Sequence, residues 1–139
     1  MIEYPLVREF MDRRFVKLRA EMQVFEAIHV FLENRVTGAV VIGSRKDELV
    51  GVLSEKDCLQ GFVQGAYNNE PIGTVADYMS SNITSIDPDL DVMAVAGLFM
   101  KHAYRRFPVV EGGKLIGQIT RRDLLRAVQK ILRDDWSVS

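Results

Sequence analysis

The stretches LVGVLSEKDCL (49–59) and LIGQITRRDLL (115–125) are two versions of one pattern: glycine, two variable residues, a hydroxyl, two more residues, then aspartate. Leu49, Gly51, Asp57 and Leu59 match Leu115, Gly117, Asp123 and Leu125 at a spacing of 66. Upstream the spacing is 68, which lays VREFM (7–11) on VADYM (75–79), Val24 on Val92, Phe31 on Phe99 and Val41 on Val109. The change of spacing puts a two-residue insertion into the polar segment SRKDE of the first copy, where a loop tolerates it. Agreement in the same order over about 50 residues, interrupted only at a turn, makes this chain an internal repeat.

Each copy carries the same periods. Val24, Ala27, Ile28, Phe31 and Leu32, and likewise Val92, Val95, Ala96, Phe99 and Met100, recur at helical spacing and define one buried stripe. Asp87-Pro88 reads as the start of the second of these helices, an N-cap acid followed by proline; the first copy has the poorer Arg19-Ala20. AVVI (39–42) and FPVV (107–110) are β-branched runs, each joined by a polar or glycine turn to the run beginning at Leu49 or Leu115, as in a hairpin. A second helix opens at Ser54 or Thr120. With short extended pieces at FVKL (15–18) and ITSI (83–86), each unit reads β-α-β-β-α, an α/β (α+β) fold. The expected division is 7–66 and 75–134, with 67–74 as a linker in a Gly-, Asn- and Pro-bearing stretch. Neither unit buries much alone, so the two are expected to pack together.

Composition narrows the function. The 139 residues are 47% hydrophobic and 27% charged, with a net charge of −1, which fits a packed domain and argues against a nucleic-acid partner. The first 70 residues hold 9 bases and 11 acids and the remainder 9 and 8, so neither half is a basic arm. A lone cysteine, an N-terminus without an apolar signal region and a longest apolar run of nine residues (Val92–Met100) point to a soluble cytoplasmic protein with no membrane span.

The repeated G-x-x-[S/T]-x-x-D segment has two readings. A hydroxyl at the N-cap with an acid three residues on is a capping box, and the glycine a tight spot in a strand. Yet both copies hold the short Asp where Glu or Gln is preferred. A strand feeding straight into a helix N-terminus is also an anion site, where a hydroxyl can donate to phosphate and a carboxylate one turn in can accept both hydroxyls of a ribose.

From about Val7 to Leu132 the chain resembles a tandem pair of CBS domains, the cystathionine-β-synthase-type repeats also called a Bateman module. The residues that carry the likeness are the two G-h-h-[S/T]-x-x-D segments, RRFPVVEGGKLIGQIT, TGAVV, VREFM and VADYM. The resemblance implies two sheets packed about a pseudo-twofold axis and clefts between the repeats that bind AMP, ADP, ATP or S-adenosylmethionine as regulatory ligands, with no cofactor required. It makes Asp57 and Asp123 the ribose acids and Ser54 and Thr120 the phosphate-side hydroxyls. Val16 and Thr84, in the first short strands, would hold adenine; Gly38 and Ala39, and Arg105, Arg106 and Pro108, would close the sites. The first copy departs from the family at Val40, where proline is usual and where Pro108 stands in the second copy.

Charge separates the copies further: Arg105, Arg106, Arg121 and Arg122 correspond to Thr37, Gly38, Glu55 and Lys56, so the second site is expected to prefer ligands richer in phosphate. His29 and His102 lack metal-ligand spacing, Cys58 reads as a small buried residue, and no nucleophile–base order or Walker loop is present, which leaves an enzyme nothing to stand on. The expected function is a module that senses an adenosine ligand and signals to a separate, unidentified partner; the alternative is a structural dimerisation module whose acids only cap helices. Surplus apolar positions on the last helix (Leu124, Leu125, Val128, Ile131, Leu132, with Trp136 beyond) point to a homodimer.

Overall fold

The computed structural model describes residues 3–137, with side chains through Asp134. In chain order the elements are α1 (Val7–Phe10), β1 (Lys17–Arg19), α2 (Val24–Asn34), β2 (Gly38–Ile42), β3 (Leu49–Ser54), α3 (Glu55–Asn68), α4 (Val75–Tyr78), α5 (Val92–Lys101), β4 (Arg106–Glu111), β5 (Lys114–Thr120) and α6 (Arg121–Ser137). They form a mixed α/β fold with two small sheets, divided into two compact units: Val16–Ile83, and Met1–Phe15 together with Thr84–Ser139.

In the unit Val16–Ile83, β1 runs parallel to β2 (Lys17 opposite Val40) and β2 antiparallel to β3 (Gly38 opposite Ser54). α2 makes the crossover between the parallel strands and buries Val24, Ala27 and Phe31 against Leu18, Val41 and Leu53. It ends in a left-handed cap at Arg35, whose N–H donates to the Phe31 carbonyl. Gln23, not the Arg19-Ala20 pair, stands at its N-cap, and its side chain makes no capping bond.

The other unit repeats the hairpin but not the first strand. The expected extended piece at ITSI is reduced to one parallel bridge, Ile86 with Val109, in which Ile86 N donates to Pro108 O (2.9 Å) and Val110 N to Ile86 O (3.1 Å). The next donor of that ladder would be the nitrogen of Pro108, reaching for the Thr84 carbonyl, and proline has none. Asp87-Pro88 is not the start of α5 either. Asp87 Oδ1 accepts from Asp89 N (2.8 Å) and closes a turn, while Asp91 caps the helix by accepting from Ala94 N (2.9 Å). Phe107, with no exposed surface, packs its ring on Phe99 at 4.7 Å between centroids.

The two-residue insertion is where the repeat spacing placed it. Gly112 and Gly113, both at positive φ, turn β4 into β5, whereas residues 43–48 make a longer turn between β2 and β3. Both hairpins shift register at the same place, between Val41 and Ile42 and between Val109 and Val110.

The sequence repeats and the compact units are out of phase. VREFM opens the first repeat but packs in the second unit: Asp12 exchanges both backbone bonds with Gln118 (2.9 and 3.0 Å), and Arg8 pairs with Asp89 (2.9 Å) and Glu111 (2.5 Å). VADYM opens the second repeat but packs in the first unit, where Ser80 exchanges both bonds with Val52 (2.9 and 3.0 Å). The repeated glycine is the reason this crossing works. A Cβ on Gly117 would lie 2.5 Å from Met11 Sδ, and one on Gly51 would lie 2.6 Å from Met79 Sδ, with backbone oxygens at 3.2 and 3.0 Å.

α3 runs on to Asn68, and Gln23 and Thr74 form a bridge in which Val24 N donates to Gly73 O (3.0 Å) and Val75 N to Met22 O (2.8 Å).

Candidate functional site

Each unit brings together its own complete set of the candidate residues. In the first, Gly38 lies opposite Ser54 in the β2–β3 ladder, Val16 stands just ahead of β1, and Asp57 is in the first turn of α3. In the second, Arg106 lies opposite Thr120, Thr84 stands two residues before the Ile86 bridge, and Asp123 is in the first turn of α6. Residues directly opposite share a face, and Ala39, Val41, Leu53, Phe107, Val109 and Ile119 are in the cores. Gly38, Val40, Val52 and Ser54 therefore line the other face of one hairpin, and Arg106, Pro108, Gln118 and Thr120 that of the other. The side chain of Ala39 belongs to the core.

The hydroxyl and the acid hold each other. Ser54 donates from N (2.9 Å) and Oγ (3.0 Å) to Asp57 Oδ2, and Ser54 Oγ accepts from Asp57 N (3.2 Å). Thr120 and Asp123 repeat this with 2.9, 2.9 and 3.2 Å. The capping box is thus real in both copies, with Asp in place of Glu or Gln and a third bond from the hydroxyl to the same carboxylate oxygen. One carboxylate oxygen remains on each acid. Asp123 Oδ1 accepts from Arg126 Nη1 (2.9 Å), whereas Gln60 stands at the equivalent place after Asp57.

Arg105, Arg121 and Arg122 are exposed. Arg106 is half-buried, and burial, followed by the neighbouring Arg105 charge, lowers its pKa from the usual arginine value. A guanidinium keeps its charge even so. Cys58 is in the core; burial first, then Asp57 and Glu55, push its thiol above the ordinary value, so it stays protonated. His29 is exposed on α2, and His102 stacks on Tyr104 at 5.3 Å. Among the described residues no cluster of three or more His, Cys, Asp or Glu could hold a metal, and no helix is long and apolar enough to cross a membrane. Leu59, Phe62, Val63 and Tyr67 on α3 and Leu125 and Leu132 on α6 are exposed, while the side chain of Trp136 lies outside the described residues. Residue-type reasoning passed over two side chains near these residues, Arg126, which bonds Asp123, and Gln118, a buried polar group on the same hairpin face as Thr120. The first was legible as a base three residues after the acid.

The family model for the CBS domain matches residues 7–63 and 75–130. Uncharacterized protein MJ1225 of Methanocaldococcus jannaschii is 30% identical over 131 residues, 94% of this chain and 44% of that protein. An A-adding tRNA nucleotidyltransferase of Aquifex aeolicus is 29% identical over 140 residues, 91% of this chain and 16% of that enzyme. The chain thus spans less than half the length of either relative. Among solved structures, CBSX2 of Arabidopsis thaliana in complex with AMP superposes with a TM-score of 0.80 at 30% identity, over 91% of this chain and 97% of that one. The CBS domain pair of protein MJ0100, in complex with 5′-methylthioadenosine and S-adenosyl-L-methionine, shares the fold with a TM-score of 0.76 at 19% identity, over 92% of this chain and 98% of that one.

Proposed function

The chain belongs to the CBS-domain family, with two copies in tandem, and from that premise we propose that it is a regulatory module that binds an adenosine-containing nucleotide and catalyses nothing. The observation that carries this reading is the strand-to-helix turn at Ser54–Asp57 and Thr120–Asp123, with the rest of each candidate set in the same unit. The AMP held by CBSX2, at 30% identity, supports the choice of ligand.

In this reading the carboxylate oxygen left over by each cap accepts the ribose hydroxyls, beside Arg126 in the second site, and the Ser54 or Thr120 hydroxyl turns its proton from the acid to a phosphate at the helix N-terminus. The backbone at Val16 and at Thr84 takes the adenine edge. Thr84 suits this well, since Pro108 has no N–H to offer its carbonyl. Gly38 and the backbone of Ala39 close the first site; Arg105, Arg106 and Pro108 close the second. Arg121 and Arg122 add positive charge at the phosphate end. AMP, ADP, ATP and S-adenosylmethionine all present the required adenosine. Occupancy is read by a separate partner chain, and the exposed apolar residues of α3 and α6 pair two copies in a cytoplasmic homodimer.

The competing reading is a structural dimerisation module. It is favoured by the closed capping boxes, which employ both acids without any ligand. A thermal-shift panel of AMP, ADP, ATP, S-adenosylmethionine and NADH separates the two. A ligand at 100 times its Kd stabilises by about 2.7 kcal/mol. A panel that shifts nothing at millimolar concentration would leave the structural reading in place.

A further inference from the structure

On the face of the β4–β5 hairpin turned from its core, Gln118 is a buried polar side chain. It is 7% exposed, and its Oε1 has no hydrogen-bond partner among the described residues. Its backbone is fully engaged with Asp12, so the orphan is the side chain alone. A buried carbonyl oxygen without a donor destabilises a fold, and such atoms in native proteins point to a function or an unseen partner. Two positions further on, on the same face, is Thr120, the residue that opens α6. Gln118 therefore stands about 7 Å up the strand from that helix start. At the matching place the first hairpin has Val52, opposite Val40, and no polar group.

We propose that Gln118 determines the specificity of the second site by accepting, through Oε1, a hydrogen bond from the nucleoside part of the ligand. This rests on the reading that the Thr120–Asp123 set binds an adenosine nucleotide. With the phosphate at the N-terminus of α6, a group about 7 Å up the strand meets sugar or base. The ligand chemistry it selects is a hydrogen-bond donor, either the exocyclic amine of adenine or a ribose hydroxyl. Val52 makes no such demand, so the first site tolerates analogues that the second rejects. A site built to bond a ligand group rejects the analogue that lacks it, because its own buried polar atom is then stranded.

Calorimetric titration of the full chain tests this with AMP, purine riboside monophosphate (no 6-amine), 2′-deoxy-AMP and 3′-deoxy-AMP. The proteins are wild type, Gln118→Val, Gln118→Met and Asp123→Ala. In the wild type, one analogue is expected to bind the second site about tenfold more weakly than AMP, and to lose most of that penalty in both Gln118 variants. The analogue affected names the donor. Unliganded Gln118→Val and Gln118→Met are expected to melt no lower than wild type, which shows that they fold. AMP binding that is lost in Asp123→Ala while every analogue penalty survives in the Gln118 variants overturns the role of Gln118 and spares the adenosine reading. A wild type that binds none of the four overturns both.

Discussion

At matched positions the face away from the core carries Gly38, Val40, Val52 and Ser54 on one hairpin, and Arg106, Pro108, Gln118 and Thr120 on the other. The cores differ as well: Phe107 fills a place where the first copy has Ala39, while Phe31 and Phe99 are equivalent. One backbone plan therefore supports two chemistries. The capping box, the bulge and the glycine–methionine contact are held in common; the groups that would meet a ligand are not. Repetition preserves what the chain needs in order to fold twice, and difference collects on the faces the cores do not use.

The largest effect expected from breaking this comparison is at the extra ring. Phe107→Ala should lower stability by about 3–5 kcal/mol, a large share of the total for a domain of this size, as measured by urea unfolding. A loss below about 1 kcal/mol would mean that the second core does not depend on its ring.

Next come the acids. Asp123→Ala should weaken nucleotide binding at its site by about 1.5–3 kcal/mol, beyond about 1 kcal/mol lost with the cap, and Asp57→Ala should do the same only at the other site. A lower melting temperature with unchanged affinity would make both acids structural.

The glycines test what the units share. Gly51→Ala and Gly117→Ala each force a methyl group against methionine sulfur and a backbone oxygen, so each should destabilise by about 1–3 kcal/mol. Met79→Ala should relieve the first and Met11→Ala the second, and not the reverse, in double-mutant cycles. A cross-over of the two rescues would contradict the interlocked arrangement.

A smaller effect sharpens the charge difference. Arg105→Ala with Arg121→Ala should weaken ATP by about tenfold more than AMP at the second site, because a guanidinium holds phosphate oxygens as a fork. Equal losses for the two ligands would place these arginines elsewhere.

The smallest effect is at Cys58. Its folded pKa is raised above 9.0, so the thiol resists alkylation at pH 8 until denaturant exposes it. The unfolded chain releases this proton first, so the contribution to stability is full below the pKa of the unfolded thiol and is lost as pH rises through the raised folded value.

Much of this fold was legible because the periods of α2 and α5 and the hairpin runs are strong local signals present twice. Both caps were legible for the same reason. Other features depend on what a residue meets rather than on what it is. α1 and α4 are single turns, too short to show a period. Asp87-Pro88 and Asp91 both carry helix-start chemistry, and the turn closed by Asp87 moves the cap to Asp91. The missing strand at Ile83–Ile86 follows from a proline more than twenty residues away. A repeat spacing shows which segments are alike but not which copy each one packs on, so the exchange of VREFM and VADYM was out of reach. Gln118 was hidden because one polar residue among apolar neighbours looks the same whether or not it finds a partner.

That exchange sets a timetable for synthesis. The unit Val16–Ile83 is contiguous and can close as soon as its last residue leaves the ribosome. VREFM is made before it, yet its partner strand β5 is complete only at Thr120, more than a hundred residues later. At about 5–20 residues per second, Val7 and Met11 wait on the order of 5–20 s with apolar surface uncovered. A permuted gene that begins at Val16 and carries residues 1–15 behind α6 would make both units contiguous and bring VREFM in after β5 and α6 rather than more than a hundred residues ahead of them. Protease protection of ribosome-bound chains should then arrive in two separate steps, each as soon as its own unit is complete.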